Sequence, residues 1–152
     1  MAKSTFVYVT YIRSTPEKLW NALTTSGFLN RCWMGASIKS DWKVGSPWTA
    51  TSQDGSLFDS GEILESVSEK RLVFKWRNEW KPEFKAEGYS HCVYEIEPMG
   101  MSVRFTMTHS IERSDSKFLE WVSCAWPMVM SNLKSLLETG EVALVDNPRH
   151  TH

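Results

Sequence analysis

Seven apolar residues at helical spacing, Phe118, Val122, Ala125, Val129, Leu133, Leu136 and Leu137, close a chain whose middle consists almost wholly of short strand segments. No other feature limits the fold as strongly. A single helix over residues 117–139 cannot fill the concave side of a wide curved sheet. A sheet that grips such a helix is expected to leave a hollow, and concave, mainly apolar hollows are where small molecules bind. The pattern speaks of the kind of function and leaves the ligand unnamed.

The helix has both of its ends marked. Asp115 or Ser116 supplies the N-terminal cap, and Gly140 stands where a left-handed C-terminal glycine belongs. Pro127 interrupts it, because an interior proline removes a backbone hydrogen bond and clashes with the preceding turn at a cost of roughly 3 kcal/mol. The spacing therefore predicts a kink or break near Ala125 and Trp126.

Toward the N-terminus, residues 6–13 are β-branched and aromatic and read as a strand. Thr15 before Pro16 marks a helix start, and Leu19, Trp20 and Leu23 give residues 16–24 an apolar face. Phe28, Leu29, Cys32 and Trp33 suggest a second short helix after the Thr25-Ser26-Gly27 turn. From Gly35 to Ser110 only short segments of strand composition occur, near 36–40, 47–52, 61–67, 71–77, 89–97 and 101–110. Turns such as Gln53-Asp54-Gly55-Ser56 and Pro98-Met99-Gly100 separate them. With the first strand this makes seven antiparallel strands joined as hairpins. Residues 78–88, long and charged, read as a mobile loop at a cavity mouth.

Bulk properties exclude several classes of function. The 152 residues suit one domain, placed at 1–145, with 146–152 as a polar flexible tail carrying His150 and His152. A net charge of -1 leaves no electrostatic footprint for nucleic acid or an anionic membrane. No run of 18 apolar residues occurs and the N-terminus lacks an apolar signal core, so neither membrane insertion nor secretion is expected. Three cysteines without CxxC spacing indicate neither a disulfide framework nor a zinc site, which fits reduced thiols in the cytoplasm. His91 and Cys92, as strand neighbours, face opposite ways and cannot chelate together. With no GxSxG, phosphate loop or dinucleotide fingerprint, no cofactor, no metal and no common catalytic motif is expected.

Four ordered stretches carry a family resemblance. They are Ser14-Thr15-Pro16-Glu17-Lys18-Leu19-Trp20-Asn21-Ala22-Leu23-Thr24; Asp41-Trp42-Lys43-Val44-Gly45; Gly61-Glu62-Ile63-Leu64-Glu65 leading to Arg71-Leu72-Val73-Phe74-Lys75-Trp76; and Ala125-Trp126-Pro127-Met128-Val129 with Asn132-Leu133. Taken together, the chain resembles the activator-of-heat-shock-protein-90-ATPase-like family within the START-like, helix-grip superfamily that includes the major birch-pollen allergen. The resemblance implies an α+β helix-grip fold, a curved seven-stranded antiparallel sheet around a long C-terminal helix with two short helices after the first strand. It also implies functions ranging from hydrophobic small-molecule binding to co-chaperone action and, in some branches, catalysis. Fold alone does not choose among them.

Strand alternation nominates the concave walls. Cys92, Tyr94 and Ile96 share one face, Val103, Phe105, Met107 and His109 another, and Leu72, Phe74 and Trp76 a third. From these and the helix, the ligand-binding candidates are Trp33, Trp76, Tyr94, Phe105, Met107, His109, Trp126, Val129, Met130 and Leu133, with Phe118 and Val122 nearer the entrance. Tryptophan offers a flat apolar wall and one N–H, while His109 offers a group that titrates near neutrality. Glu65 has the parity of Ile63 and Val67, so Glu65 and His109 form a candidate acid/base pair for a hydrolase, cyclase or lyase. Core packing is the plainer account of each residue. The leading expectation is a cytoplasmic domain that encloses a hydrophobic or amphipathic small molecule between sheet and terminal helix. The alternatives are an interaction module docking on a chaperone ATPase or a second copy of the chain, and a small enzyme.

Overall fold

The computed structural model describes residues 3–145; the tail at 146–152, with His150 and His152, lies outside the described residues. The elements run β1 (Ser4–Ile12), α1 (Pro16–Thr24), α2 (Ser26–Cys32), β2 (Ser37–Ser40), β3 (Pro47–Thr51), β4 (Leu57–Val67) and β5 (Arg71–Asn78). They continue with α3 (Pro82–Lys85), β6 (Ser90–Met99), β7 (Ser102–Ile111), α4 (Lys117–Ser123) and α5 (Trp126–Thr139). The seven strands form one antiparallel sheet in the order β1-β7-β6-β5-β4-β3-β2. Strands β2 to β7 follow one another as a meander, whereas β1 lies at the opposite edge from β2. The chain crosses from one edge to the other through α1 and α2, so this helical pair spans the open side of the sheet and packs against α5. This is the helix-grip arrangement.

Local chemistry sets the helix limits. Thr15 Oγ1 accepts a hydrogen bond from the Lys18 N–H at 3.2 Å, and Pro16 opens α1 where its missing N–H costs nothing. The terminal helix divides as Pro127 requires: α4 ends at Ser123, Cys124 and Ala125 make the joint, and α5 begins with Pro127 in its first turn. Ser116 caps α4 by accepting from the Leu119 N–H at 3.0 Å, and Gly140 ends α5 at a φ of 87°. No helix among the described residues is long and apolar enough to cross a membrane.

Two sequence expectations change here. Residues 78–88 hold the short helix α3, whose Phe84 is buried with its ring 5.8 Å from that of Phe118. Glu79 ties the segment down through Arg77, Lys85 and Ser60. Strand β4 starts at Leu57, four residues before the position read from sequence, and so brings Phe58, Asp59 and Ser60 into the sheet.

The register aligns Trp48 of β3, Gly61 of β4, and Trp76 of β5 in one row across the concave face. The two indole rings meet edge to face at 5.2 Å, and Trp48 Nε1 donates to the Lys75 carbonyl at 2.8 Å, passing over Gly61. A Cβ at Gly61 would lie 1.7 Å from that carbonyl oxygen and 2.4 Å from Trp48 Nε1, so this row requires glycine. Gly61→Ala is expected to lower the free energy of unfolding by roughly 1–3 kcal/mol or more. Urea titration of the two proteins checks this, and an unchanged midpoint would show that the row adjusts freely.

Candidate functional site

Burial alternates cleanly along β6 and β7, so Cys92, Tyr94, Val103, Phe105, Met107 and His109 all point into the grip. Facing them from the helices are Phe118, Trp126, Val129, Met130 and Leu133. The central ring is Trp76, which contacts Trp33 at 5.8 Å, Trp126 at 5.6 Å and Phe118 at 6.2 Å, and stacks on the His109 imidazole at 5.0 Å. These rings occupy the space that the sequence reading assigned to a ligand between sheet and helix. A small apolar interior void of about 20 Å³ lies beside them, room for about one water molecule.

His109 is part of that packing. The Trp126 indole can only donate, and it donates to His109 Nδ1 at 3.1 Å; the proton of the neutral ring therefore sits on Nε2, 2.7 Å from Ser90 Oγ. The Ser90 hydroxyl in turn donates to the Trp76 carbonyl at 3.1 Å. Both ring nitrogens are satisfied, and complete burial pushes the imidazole pKa down to about 3. His109 is thus neutral at physiological pH and already bonded on both sides.

Glu65 lies elsewhere. A β-bulge between Ile63 and Glu65 adds a residue to β4, so the alternation that holds at Asp59, Gly61 and Ile63 reverses beyond it. Glu65 points outward and pairs with Arg71 at 3.2 Å on the solvent face. The fold does not bring Glu65 and His109 together.

An accessible cleft of about 420 Å³ opens at the mouth of the grip, among the α2–β2 corner, the β3–β4 hairpin, the segment after β5 and the joint between α4 and α5. Of the residues nominated from sequence, Trp33, Trp76 and Val129 line this cleft, as does Val122. Tyr94 borders only the small interior void, and Phe105, Met107, His109, Trp126, Met130 and Leu133 line neither. The remaining walls were not nominated: Met34 to Ala36, the hairpin residues Ser52 to Asp54 and Ser56, Phe58, Asp59, Trp80, Trp121 and Ala125. Met34, at a φ of 55°, and Gly35, at 96°, turn the chain along the rim.

Asp59 is the chemically distinctive member. It is 4% exposed, borders both the cleft and the interior void, and accepts one hydrogen bond at Oδ1, from Asn78 Nδ2 at 3.1 Å. Asn78 Oδ1 accepts from the backbone N–H groups of Trp80 and Lys81, so the same pair shapes the segment that carries Trp80. The Trp76 indole N–H is near enough to the carboxyl to favour its ionised form, yet it falls short of hydrogen-bond geometry and is left buried without a partner. Burial outweighs these contacts and raises the Asp59 pKa to about 7. The visible signal was an Asp directly after Phe58 and two residues before the strand read from sequence, obscured because Asp, Ser and Gly weaken strand propensity.

The sequence profile of the Activator of Hsp90 ATPase homolog 1-like protein family matches residues 13–138, from the end of β1 through most of α5. The chain belongs to this family. Among solved structures, protein MLL2253 from Mesorhizobium loti superposes with a TM-score of 0.76 at 24% identity, over 88% of this chain and 96% of that one. The Aha1 dimer from Colwellia psychrerythraea gives 0.73 at 20% identity over 90% and 98%, and an HSP90 activator from Plasmodium falciparum gives 0.72 at 24% over 88% and 95%. At these identities the likeness shows the shared fold. No match was found among curated proteins.

A buried carboxyl with a raised pKa makes stability depend on pH. The native state holds the Asp59 proton up to about pH 7, whereas the unfolded chain releases it near 3.8. Between these values rising pH favours unfolding, and above about pH 7 the whole cost, a few kcal/mol, is present. Asp59→Asn is expected to raise the unfolding free energy at pH 8 and to change it little near pH 4. Chemical denaturation at the two pH values checks this; an equal effect at both would show that Asp59 is not protonated by burial.

Proposed function

We propose that this family member binds a small apolar or amphipathic molecule in the cleft at the mouth of the grip. The observation that carries the reading is the cleft itself: about 420 Å³, with four tryptophans, Trp33, Trp76, Trp80 and Trp121, among its lining residues. That volume lies within the range of small-molecule sites, and apolar walls with a few polar groups are their usual composition. Apolar burial supplies affinity at roughly 25 cal/mol per Å², less the cost of ordering the ligand. Asp59 at the floor supplies orientation.

The packed interior argues that a ligand rests against the grip and is not swallowed by it. Trp33 and Trp76 belong to both spaces, so binding at the cleft touches the interior rings directly. A second reading, activation of a chaperone ATPase, is favoured by the family match alone. Stimulation of heat-shock protein 90 ATPase turnover by the purified protein tests it, and no stimulation at saturating concentrations removes it.

Ala125 lies at the joint of the terminal helices with its side chain on the cleft wall. A thermal-shift and native mass spectrometry panel of aromatic and fatty compounds is expected to yield binders. Ala125→Trp is expected to weaken them at least about tenfold by filling the cleft, with little change in the melting temperature of the free protein. Binders unaffected by Ala125→Trp, or none across the panel, would overturn the reading.

A further inference from the structure

We infer that the ligand of this cleft is a cation, a quaternary or protonated amine on an apolar body, with its positive charge set against Asp59 among the surrounding aromatic rings. The inference rests on the cleft being a binding site and deepens that reading. Its first support is charge. The lining includes two carboxylates, Asp59 at the floor and Asp54 on the hairpin rim, and no lysine, arginine or histidine. An anionic ligand would face both carboxylates, with the Lys81 ammonium at the outer rim as the nearby positive charge.

The second support is the unfinished bonding of the floor. Asp59 is buried with one side-chain hydrogen bond, and the neighbouring Trp76 N–H, on a side chain 3% exposed, has none. Both groups border the cleft. A wholly apolar ligand would close the remaining access to this acid with nothing in return. A cationic nitrogen meets the carboxylate and supplies the counter-charge that its one hydrogen bond does not.

The third support is the aromatic surround. Trp33, Phe58, Trp76 and Trp80 border the same cleft as the carboxyl, and the faces of such rings attract cations most strongly where water is excluded. The chain already uses this attraction at the rim, where the Lys81 ammonium lies 5.2 Å from the Trp80 ring centre and 5.7 Å from that of Trp121. A ligand cation is placed deeper, beside Asp59.

A purely structural role for Asp59, holding Asn78 and the segment that bears Trp80, is the competing account. The two roles separate experimentally, because a structural role affects charged and uncharged ligands alike. The probes are phenylpropyl(trimethyl)ammonium, its uncharged carbon isostere and phenylbutyrate, titrated by tryptophan fluorescence and calorimetry. The cation is expected to bind at least about tenfold tighter than the isostere, and the carboxylate weakest. Asp59→Asn should erase the preference for the cation while leaving the isostere nearly unchanged. Trp80→Leu, at a side chain 59% exposed whose loss leaves the core intact, should weaken the cation severalfold and the isostere less.

The charge of this cation does not titrate, so its affinity should rise from pH 5 to pH 8 as Asp59 ionises, and Asp59→Asn should abolish that rise. The charged groups around Asp59 are Glu79 beyond β5, Asp54 on the hairpin and Lys81 on the segment before α3, while the cleft-lining residues of α4 and α5 are uncharged. Asp54 and Glu79 are each held near a pKa of about 2 by their own partners, so neither changes charge in this range. Equal binding of cation and isostere, or tighter binding of the carboxylate, overturns the inference while the binding reading stands. No binding by any of the three, together with a silent compound panel, overturns both.

Discussion

The Trp76 indole stands where the sheet, the helical corner and the terminal helix converge, and its ring takes the volume that would otherwise be the hollow of the grip. It fits only because Gly61, beside it on β4, has no side chain, which lets Trp48 cross the strand and meet Trp76 edge to face. Ring contacts then pass outward from Trp76 to Trp33, Trp126, Phe118 and His109. Such pairs add to the burial of their own area, so the interior is held by mutual contact of large rigid groups. Open volume is displaced to the mouth.

That displacement also divides the polar groups into two kinds. Deep inside, Trp126, His109, Ser90 and the Trp76 carbonyl form a closed series of donors and acceptors with no capacity left over. At the mouth the series is open: Asp59 and the Trp76 N–H are buried without full partnership. Buried polar groups in that condition cost stability, and a site that binds something is where such a cost has a physical use.

The sequence read well wherever structure follows from neighbours in the chain. The Thr15-Pro16 cap, the limits of α1, the break forced by Pro127 and the glycine end of α5 depend on backbone chemistry within a few residues, and each lies where that chemistry puts it. Strand alternation placed the inward faces of β5, β6 and β7 for the same reason. It failed at Leu64, where one extra residue in β4 turned Glu65 outward, because a bulge leaves no mark on the local hydrophobic pattern. Asp59 escaped notice through a related fault. The strand read from sequence began at Gly61, and only pairing with β3 and β5 draws Asp59 and Ser60 into the sheet.

By itself the sequence determined the antiparallel helix-grip class, its family, and an interior rich in tryptophan. Tertiary structure alone decided that these rings fill the interior, that His109 is neutral and bonded on both sides, and that Asp59 ends at the floor of an open cleft. The reason is range: caps, turns and alternation act between near neighbours, whereas cavity volume, burial and the company of a carboxyl are set by residues that meet only after strands and helices far apart in the chain have packed together.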